Sequence, residues 1–289
     1  MPRRILLTLA STLLTITLVP TVALAFKLDL QNLDIGALAK GVSTILSAHN
    51  MKPEDEARIG RDLAAHLLGA APLVDDPELQ DYTNRLGRWL ALQTERPDLP
   101  WTFGVTDDPD VNAFAMPGGY VLVTRGLFEI LRNESELAGV LAHEIGHVVA
   151  KHHLKALQDQ GYMTVIGSVI KATADDDNRE MVEFALNATQ DLYVKGLDKK
   201  DEYQADRMGV VIASRGGYDP FGLPSVLQTL DAINARDSRL ALLFKTHPLP
   251  EDRLTHLEQA MGDRFDGLPG ALGEERFARI QVRLRGGAR

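Results

Sequence analysis

The chain contains no cysteine among its 289 residues, which excludes a disulfide scaffold and a thiol nucleophile. The same absence excludes a lipid anchor of the bacterial type, because that anchor requires a cysteine directly after the signal sequence. Basic residues are fewer than acidic ones, with 31 Lys and Arg against 40 Asp and Glu. The resulting net charge of −9 argues against nucleic acid as a partner and against attachment to anionic lipid by charge alone.

A signal sequence is indicated at the start of the chain, where the composition differs from the rest. A basic segment, residues 1–4, is followed by a mostly apolar stretch, residues 5–20, and Ala23-Leu24-Ala25 fits a small-residue cleavage site. We expect residues 1–25 to be a secretory signal peptide, with an uncleaved membrane anchor as the alternative. The expected location is the bacterial periplasm or the cell exterior, with no stable membrane span after cleavage.

The most informative motif is the pentapeptide His143-Glu144-Ile145-Gly146-His147. Residues four apart on a helix differ by roughly 40° in direction, so the two histidines share one face and can bind one metal ion. Neutral imidazole is a preferred ligand of zinc. Glu144 is rotated by roughly 100° from His143, so it is better placed to take a proton from water at the metal than to bind the metal itself.

A catalytic zinc ion usually has three protein ligands, so a third ligand must lie elsewhere in the chain. His153 is one candidate, because its spacing from the pentapeptide matches the metzincins. No Gly or Pro follows His147 before residue 161, so we expect the helix to continue and to carry His153 about 240° around from His147. Glu202 is the favoured candidate, and Asp206, one turn further, could accept the free N–H of a ligand histidine.

Four motifs stand in a fixed order along the chain. They are Asn112 to Val121, the pentapeptide, Glu202-x-x-Ala205-Asp206, and Thr246-His247-Pro248 with Arg253. Together they resemble the M48 family of zinc metallopeptidases, which are gluzincins, over nearly all of the chain after residue 25. The resemblance implies an α+β fold, a mainly helical zincin-like domain with a small β-sheet beside the pentapeptide helix. It also implies one Zn²⁺ ion per chain, bound by His143, His147 and Glu202.

Further residues receive roles from the same resemblance. Those that would border the substrate groove are Asn112, Ala113, Phe114 and Ala115, with a plain hairpin as the alternative. His247 would either stabilise the oxyanion or occupy the open position of zinc in a resting state, and the alternative is a packing histidine that precedes a proline.

The expected function is that of a zinc endopeptidase in which Glu144 activates the attacking water. The resemblance implies polypeptide substrates, namely unfolded or misassembled envelope proteins. Two alternatives remain open. One is a periplasmic chaperone or adaptor that uses the same groove with little cleavage, and the other is a protein with a structural zinc site. The oligomeric state stays open.

The expected domain organisation places the peptidase domain at residues 51–262, between a variable segment, residues 26–50, and a C-terminal tail, residues 263–289. Within the domain, capping and turn residues predict several elements. The predicted helices run from Pro53 to about Leu68, from Pro77 to about Gln93, from Asn133 onward, and over an apolar stretch from Tyr162 to Ala174; the predicted strands are 101–106, 113–116 and 120–124.

Overall fold

The computed structural model describes residues 51–159, 196–233 and 237–287. The elements within these ranges are mainly helical. In chain order they are α1 (Pro53–Ala70), α2 (Pro77–Ala91), β1 (Thr102–Thr106), β2 (Ala113–Met116), β3 (Tyr120–Thr124), α3 (Arg125–Ile130), α4 (Glu134–Val149), α5 (His152–Asp159), α6 (Lys199–Arg215), α7 (Gly222–Ala232), a 3-10 turn (Ser238–Leu240), α8 (Leu243–Thr246), α9 (Pro250–Met261) and α10 (Glu274–Gly287). The mainly helical α+β prediction is confirmed.

The first two helices begin where the sequence predicts. Helix α1 starts at Pro53, and α2 starts at Pro77 directly after Asp76. The side chain of Asp76 accepts hydrogen bonds from the backbone N–H groups of Glu78 and Leu79, which would otherwise have no intrahelical partner. Proline is favoured at this position because it has no N–H to satisfy.

The sheet has three strands in the order β1-β3-β2, with β1 parallel and β2 antiparallel to β3. The turn between β2 and β3 contains Gly118 and Gly119, whose φ angles are 76° and 99°. Residues with a Cβ atom rarely adopt these angles, which is why the sequence predicts a turn there. Within the described residues, β2 is an edge strand of the sheet, and it packs against α4.

Helix α4 is the centre of the domain, and every residue from Glu134 to Val148 is buried. Asn133 caps its first turn by accepting a hydrogen bond from the N–H of Glu136, as predicted. Helix α6 packs closely along α4. A Cβ atom at Gly209 would lie 3.0 Å from the backbone nitrogen of His143, so a small residue is needed for this approach. The close contact brings the acidic residues of α6 to the histidines of α4.

Helix α4 ends at Val149, and the prediction that it continues through residue 153 is wrong. Lys151 has a φ angle of 58°, a left-handed conformation that costs roughly 1–2 kcal/mol for a residue with a side chain. Arg96 donates a hydrogen bond to the carbonyl of Val148, and its guanidinium also pairs with the buried carboxylate of Glu56. A cation at a helix C-terminus is favourable. The chain then starts again as α5 in a new direction.

The C-terminal tail assigned from the sequence, residues 263–289, contains α10, which packs on the core. The buried side chains of this helix include Phe277, whose ring stacks on Phe128 with the centroids 5.0 Å apart. Arg276 forms an ion pair with Glu134, the first residue of α4. The same carboxylate accepts hydrogen bonds from Tyr82 at 2.6 Å and Tyr218 at 2.8 Å. Helix α10 therefore supports the N-terminus of α4.

Three predictions lie outside the described residues: the signal peptide at 1–25, the variable segment at 26–50 and the helix at 162–174. Among the helices that the structure does describe, none combines the length and the apolar character that a membrane crossing requires.

Candidate metal centre

Four side chains converge at the middle of α4. His143 and His147 come from α4, Glu202 comes from the first turn of α6, and His247 follows the last residue of α8. Each offers one ligand atom, and these atoms all lie within 4.8 Å of one another. The structure thus brings together the three residues predicted to bind the metal, together with the late-motif histidine.

The ring nitrogens of the two α4 histidines face each other. Nε2 of His143 lies 3.1 Å from Nε2 of His147. The carboxylate of Glu202 lies beside them, with Oε1 3.6 Å from Nε2 of His147 and Oε2 3.8 Å from Nε2 of His143. Oε2 of Glu202 also lies 2.7 Å from Nδ1 of His247. The rotation of roughly 40° between residues four apart on a helix accounts for the pairing of the two α4 rings.

Asp206 and Arg253 lie on the opposite side of His143. Oδ1 of Asp206 is 2.9 Å from Nδ1 of His143, so the carboxylate can accept the N–H of that ring. Arg253 donates to both oxygens of Asp206, at distances of 3.0 and 2.5 Å, and all three side chains are buried. With Nδ1 of His143 protonated toward Asp206, its Nε2 carries the free lone pair and faces the other ligand atoms.

The charges of this group follow from burial and from its neighbours. Burial opposes ionisation of Glu202, but His247 and His143 outweigh that effect and lower the pKa of the Glu202 carboxyl below its ordinary value. Burial opposes protonation of His247, but the Glu202 carboxylate outweighs that effect and raises the pKa of His247. Burial and the neighbouring rings lower the pKa of His147 well below its ordinary value. His147 is therefore neutral, as a metal ligand must be.

These residues fit a metal ion. Oε1 of Glu202 is buried and has no hydrogen-bond partner among the residues that the structure describes. A buried carboxylate oxygen without a partner is costly, and a cation between it and the two Nε2 atoms would remove that cost. Two imidazoles and one carboxylate form the His₂Glu ligand set of catalytic zinc sites.

Glu144 lines the same site but is not a member of the group of four. Its side chain is 4% exposed, and burial raises the pKa of its carboxyl above the ordinary value, although His143 and His247 act in the opposite direction. A carboxylate with a raised pKa is a stronger base than an exposed one. The position and the direction of the pKa shift both suit a general base.

Two cavities meet at the metal group, and both are lined by Ala113, Glu144 and His247. The first extends along Phe114 and Ala115 of β2. The second has a mostly aliphatic lining. Its aliphatic lining consists of Leu127, Val140, Leu223, Val226, Leu227, Leu230 and Leu243.

The four residues predicted to border a substrate groove are placed differently from one another. Ala113, Phe114 and Ala115 line the first cavity. Asn112 directly precedes β2 and is buried, and its side-chain oxygen accepts a hydrogen bond from the N–H of Ala113. Asn112 lines neither of the two cavities.

Two residues near the metal group were not assigned to it from the sequence. His153 lines the first cavity, with its ring centroid 5.6 Å from that of His147. His152 contacts His147 directly. Both positions depend on the break at Lys151, and because no Gly or Pro marks that break, the sequence carried no signal for it.

Comparison with known proteins also indicates a metallopeptidase. The model of peptidase family M48 matches residues 76–261. The beta-barrel assembly-enhancing protease of Escherichia coli (strain K12) is 34% identical over 206 residues, which cover 69% of this chain and 42% of that protein. A putative beta-barrel assembly-enhancing protease of Vibrio cholerae is 32% identical, with 77% and 46% covered. The mitochondrial metalloendopeptidase OMA1 of Schizosaccharomyces pombe is 29% identical, with 62% and 52% covered.

The chain thus spans less than half of the length of the two bacterial relatives. The matched segment nevertheless includes all four residues of the metal group, from His143 to His247. The match extends over well more than half of the chain and contains the whole site, so the chain belongs to peptidase family M48, a family of metal-dependent peptidases.

Proposed function

We propose that this chain is a zinc endopeptidase that cleaves unfolded or misassembled polypeptides of the bacterial envelope. The observation that carries the proposal is the convergence of His143, His147 and Glu202 next to a buried Glu144. Family membership supports a peptidase, and the His₂Glu ligand set supports zinc as the metal.

The proposed roles follow from the contacts of each side chain. His143, His147 and Glu202 hold the ion, and Asp206 accepts the N–H of His143, which directs the Nε2 lone pair toward the ion. Zinc, when bound, supplies a Lewis acid that polarises the peptide carbonyl and lowers the pKa of water. Arg253 holds Asp206 in place and keeps it ionised.

Glu144 would take the proton of the attacking water and then give it to the leaving amine, which restores the carboxylate. The buried setting of Glu144 supports this cycle, because burial raises the pKa of its carboxyl and so makes the carboxylate a stronger base. His247 lines both cavities next to Glu144, so we assign it the stabilisation of the oxyanion. Occupation of the fourth ligand position by His247 in a resting state is the competing role.

Strand β2 would hold the substrate backbone. An edge strand can pair with an extended peptide, and main-chain pairing gives affinity for many different sequences. The cavities next to β2 would then hold side chains of the substrate. Aliphatic lining in the second cavity favours an apolar substrate side chain beside the cleaved bond. Apolar side chains are exposed in unfolded proteins and buried in folded ones, so such a site favours unfolded substrates.

The names of the bacterial relatives support the same class of substrate. Both are named as beta-barrel assembly-enhancing proteases. We therefore extend the proposal to β-barrel proteins that fail to assemble, with export through residues 1–25 bringing the chain to the periplasm.

The direct test is cleavage of denatured β-casein by the purified, zinc-loaded chain, followed by mass spectrometry of the products. We expect internal cleavage that a chelator abolishes and that added zinc restores. An intact casein band in the presence of stoichiometric zinc would refute the proposed activity and would favour a chaperone or adaptor.

A further inference from the structure

His152 contacts the ring nitrogen of His147 that points away from the metal group. Nε2 of His147 faces His143 and Glu202, whereas its Nδ1 lies 3.0 Å from Nδ1 of His152. His152 is only 2% exposed. Both nitrogens of His147 are therefore engaged, one in the metal group and the other by His152.

The break in the helix makes this contact possible. On a continuous α-helix, residues five apart differ by about 140° in direction, so His152 would point away from His147. The left-handed conformation of Lys151 ends α4 and turns the first residue of α5 back toward the metal group. Lys151 is strained in this conformation because it has a side chain, unlike glycine. Backbone strain next to a site indicates that the turn serves the site.

The hydrogen positions follow from the proposed ligand role of His147. As a ligand through Nε2, neutral His147 must carry its hydrogen on Nδ1 and donate it to Nδ1 of His152. His152 then accepts at Nδ1 and carries its own hydrogen on Nε2. That nitrogen lies 3.4 Å from Oε1 of Gln204 and 3.8 Å from a carboxylate oxygen of Asp201. Each ring in the chain of contacts thus has one donor and one acceptor.

The two ligand histidines of α4 receive support from the same neighbouring helix. His143 contacts Asp206 directly, and His147 contacts Gln204 through His152. Gln204 and Asp206 flank Ala205 on α6, the helix that also carries Glu202. One helix therefore provides a ligand and fixes the orientation of the two others.

We propose that His152 is a positioning residue for the metal centre, which fixes the tautomer and the ring orientation of His147 by accepting its Nδ1 hydrogen. This proposal rests on the proposed function, because it assumes that His147 binds the metal through Nε2. According to this proposal, the turn at Lys151 brings the acceptor, Nδ1 of His152, into place.

The test compares zinc affinities, measured by competition with a chromophoric chelator, for three substitutions in the full chain. His152→Leu fills the space but has no acceptor, and we expect its zinc affinity to fall about 10- to 100-fold. His152→Asn places an amide oxygen close to the position of Nδ1, and we expect it to stay within about threefold of the wild type. His66→Leu, at an exposed histidine of α1, is the matched control and should leave the affinity unchanged.

A second measurement separates positioning from packing. In the ¹⁵N spectrum of the zinc-loaded protein, we expect the Nδ1 hydrogen of His147 to be hydrogen-bonded in the wild type and in the Asn variant.

Unchanged zinc affinity in the Leu variant would overturn the proposal, and so would an equal loss of affinity in the Leu and Asn variants. If the Leu variant does not fold, the Asn variant decides alone, because a tenfold loss there also overturns the proposal. Failure of the wild type to bind zinc would instead refute the proposed function.

Discussion

Oδ1 of Asp206 lies 2.9 Å from Nδ1 of His143, and both side chains are buried. Asp206 is four residues after Glu202 on α6, so one helix face presents a carboxylate to each side of the His143 ring. Arg253 closes the arrangement with two hydrogen bonds to Asp206. The orientation of His143 is therefore held by a buried ion pair.

Asp206→Asn should weaken zinc binding and destabilise the metal-free protein. The amide cannot balance the charge of buried Arg253, and an uncompensated buried charge costs about 3–5 kcal/mol in the free energy of unfolding. The weaker acceptor for His143 should lower the zinc affinity about 10- to 100-fold. Urea unfolding of the metal-free variant and chelator competition measure the two effects.

Adding Arg253→Met to Asp206→Asn is the control for the stability effect, because it removes the unpaired charge. The double variant should recover part of the lost free energy of unfolding but not the zinc affinity. Additive losses in stability would show that the ion pair does not couple the two residues.

Glu144→Gln should abolish cleavage and leave zinc binding intact. Glutamine has nearly the shape of glutamate but cannot take a proton, so the rate of casein cleavage should fall about 10²- to 10⁴-fold. Zinc content, measured on the same sample, should stay at one ion per chain. Glu258→Gln, at an exposed position of α9, is the matched control and should cleave at the wild-type rate. Cleavage by the Glu144 variant at the wild-type rate would rule out the proposed base.

The aliphatic cavity should set a preference at one position beside the cleaved bond. We expect casein cleavage sites to be enriched in Leu, Val, Ile and Met at that position, and a Leu peptide to exceed its Ala counterpart about tenfold or more in kcat/KM. Val226→Phe narrows the cavity and should reduce this ratio. If the wild type and the Val226→Phe variant have the same ratio, residues outside this cavity determine the selectivity.

Helix α10 should contribute to stability although it lies outside the matched family segment. Phe277→Ala removes a fully buried ring that stacks on Phe128, and we expect it to lower the free energy of unfolding by about 3–5 kcal/mol. Val282→Ala, at a position on the same helix that is 71% exposed, should change it little. Urea unfolding measures both. Equal effects of the two substitutions would show that α10 does not pack on the core in solution.

Local patterns predicted much of the fold. Asp76 and Asn133 are capping residues whose effect depends only on the next few residues, and both helices begin as predicted. The glycines at 118 and 119 likewise specify a turn by themselves. Helical spacing alone predicted that His143 and His147 lie side by side, as the structure shows.

The break after α4 could not be predicted in this way. It is associated with contacts from Glu56 and Arg96, which are distant in the sequence, and Lys151 is not a residue type that usually marks a left-handed turn. The preference for Glu202 over His153 therefore rested partly on an incorrect premise, although the structure does place Glu202 in the metal group. Tertiary contacts of the same kind account for the placement of α10, whose sequence ends in two glycines.

The most direct measurement is a crystal structure of the zinc-loaded protein, with diffraction collected at the zinc absorption edge. We expect one anomalous peak per chain, about 2.0–2.2 Å from Nε2 of His143, from Nε2 of His147 and from a carboxylate oxygen of Glu202. A peak at another position, or one that lies beyond ligand distance of Glu202, would contradict the proposed metal centre.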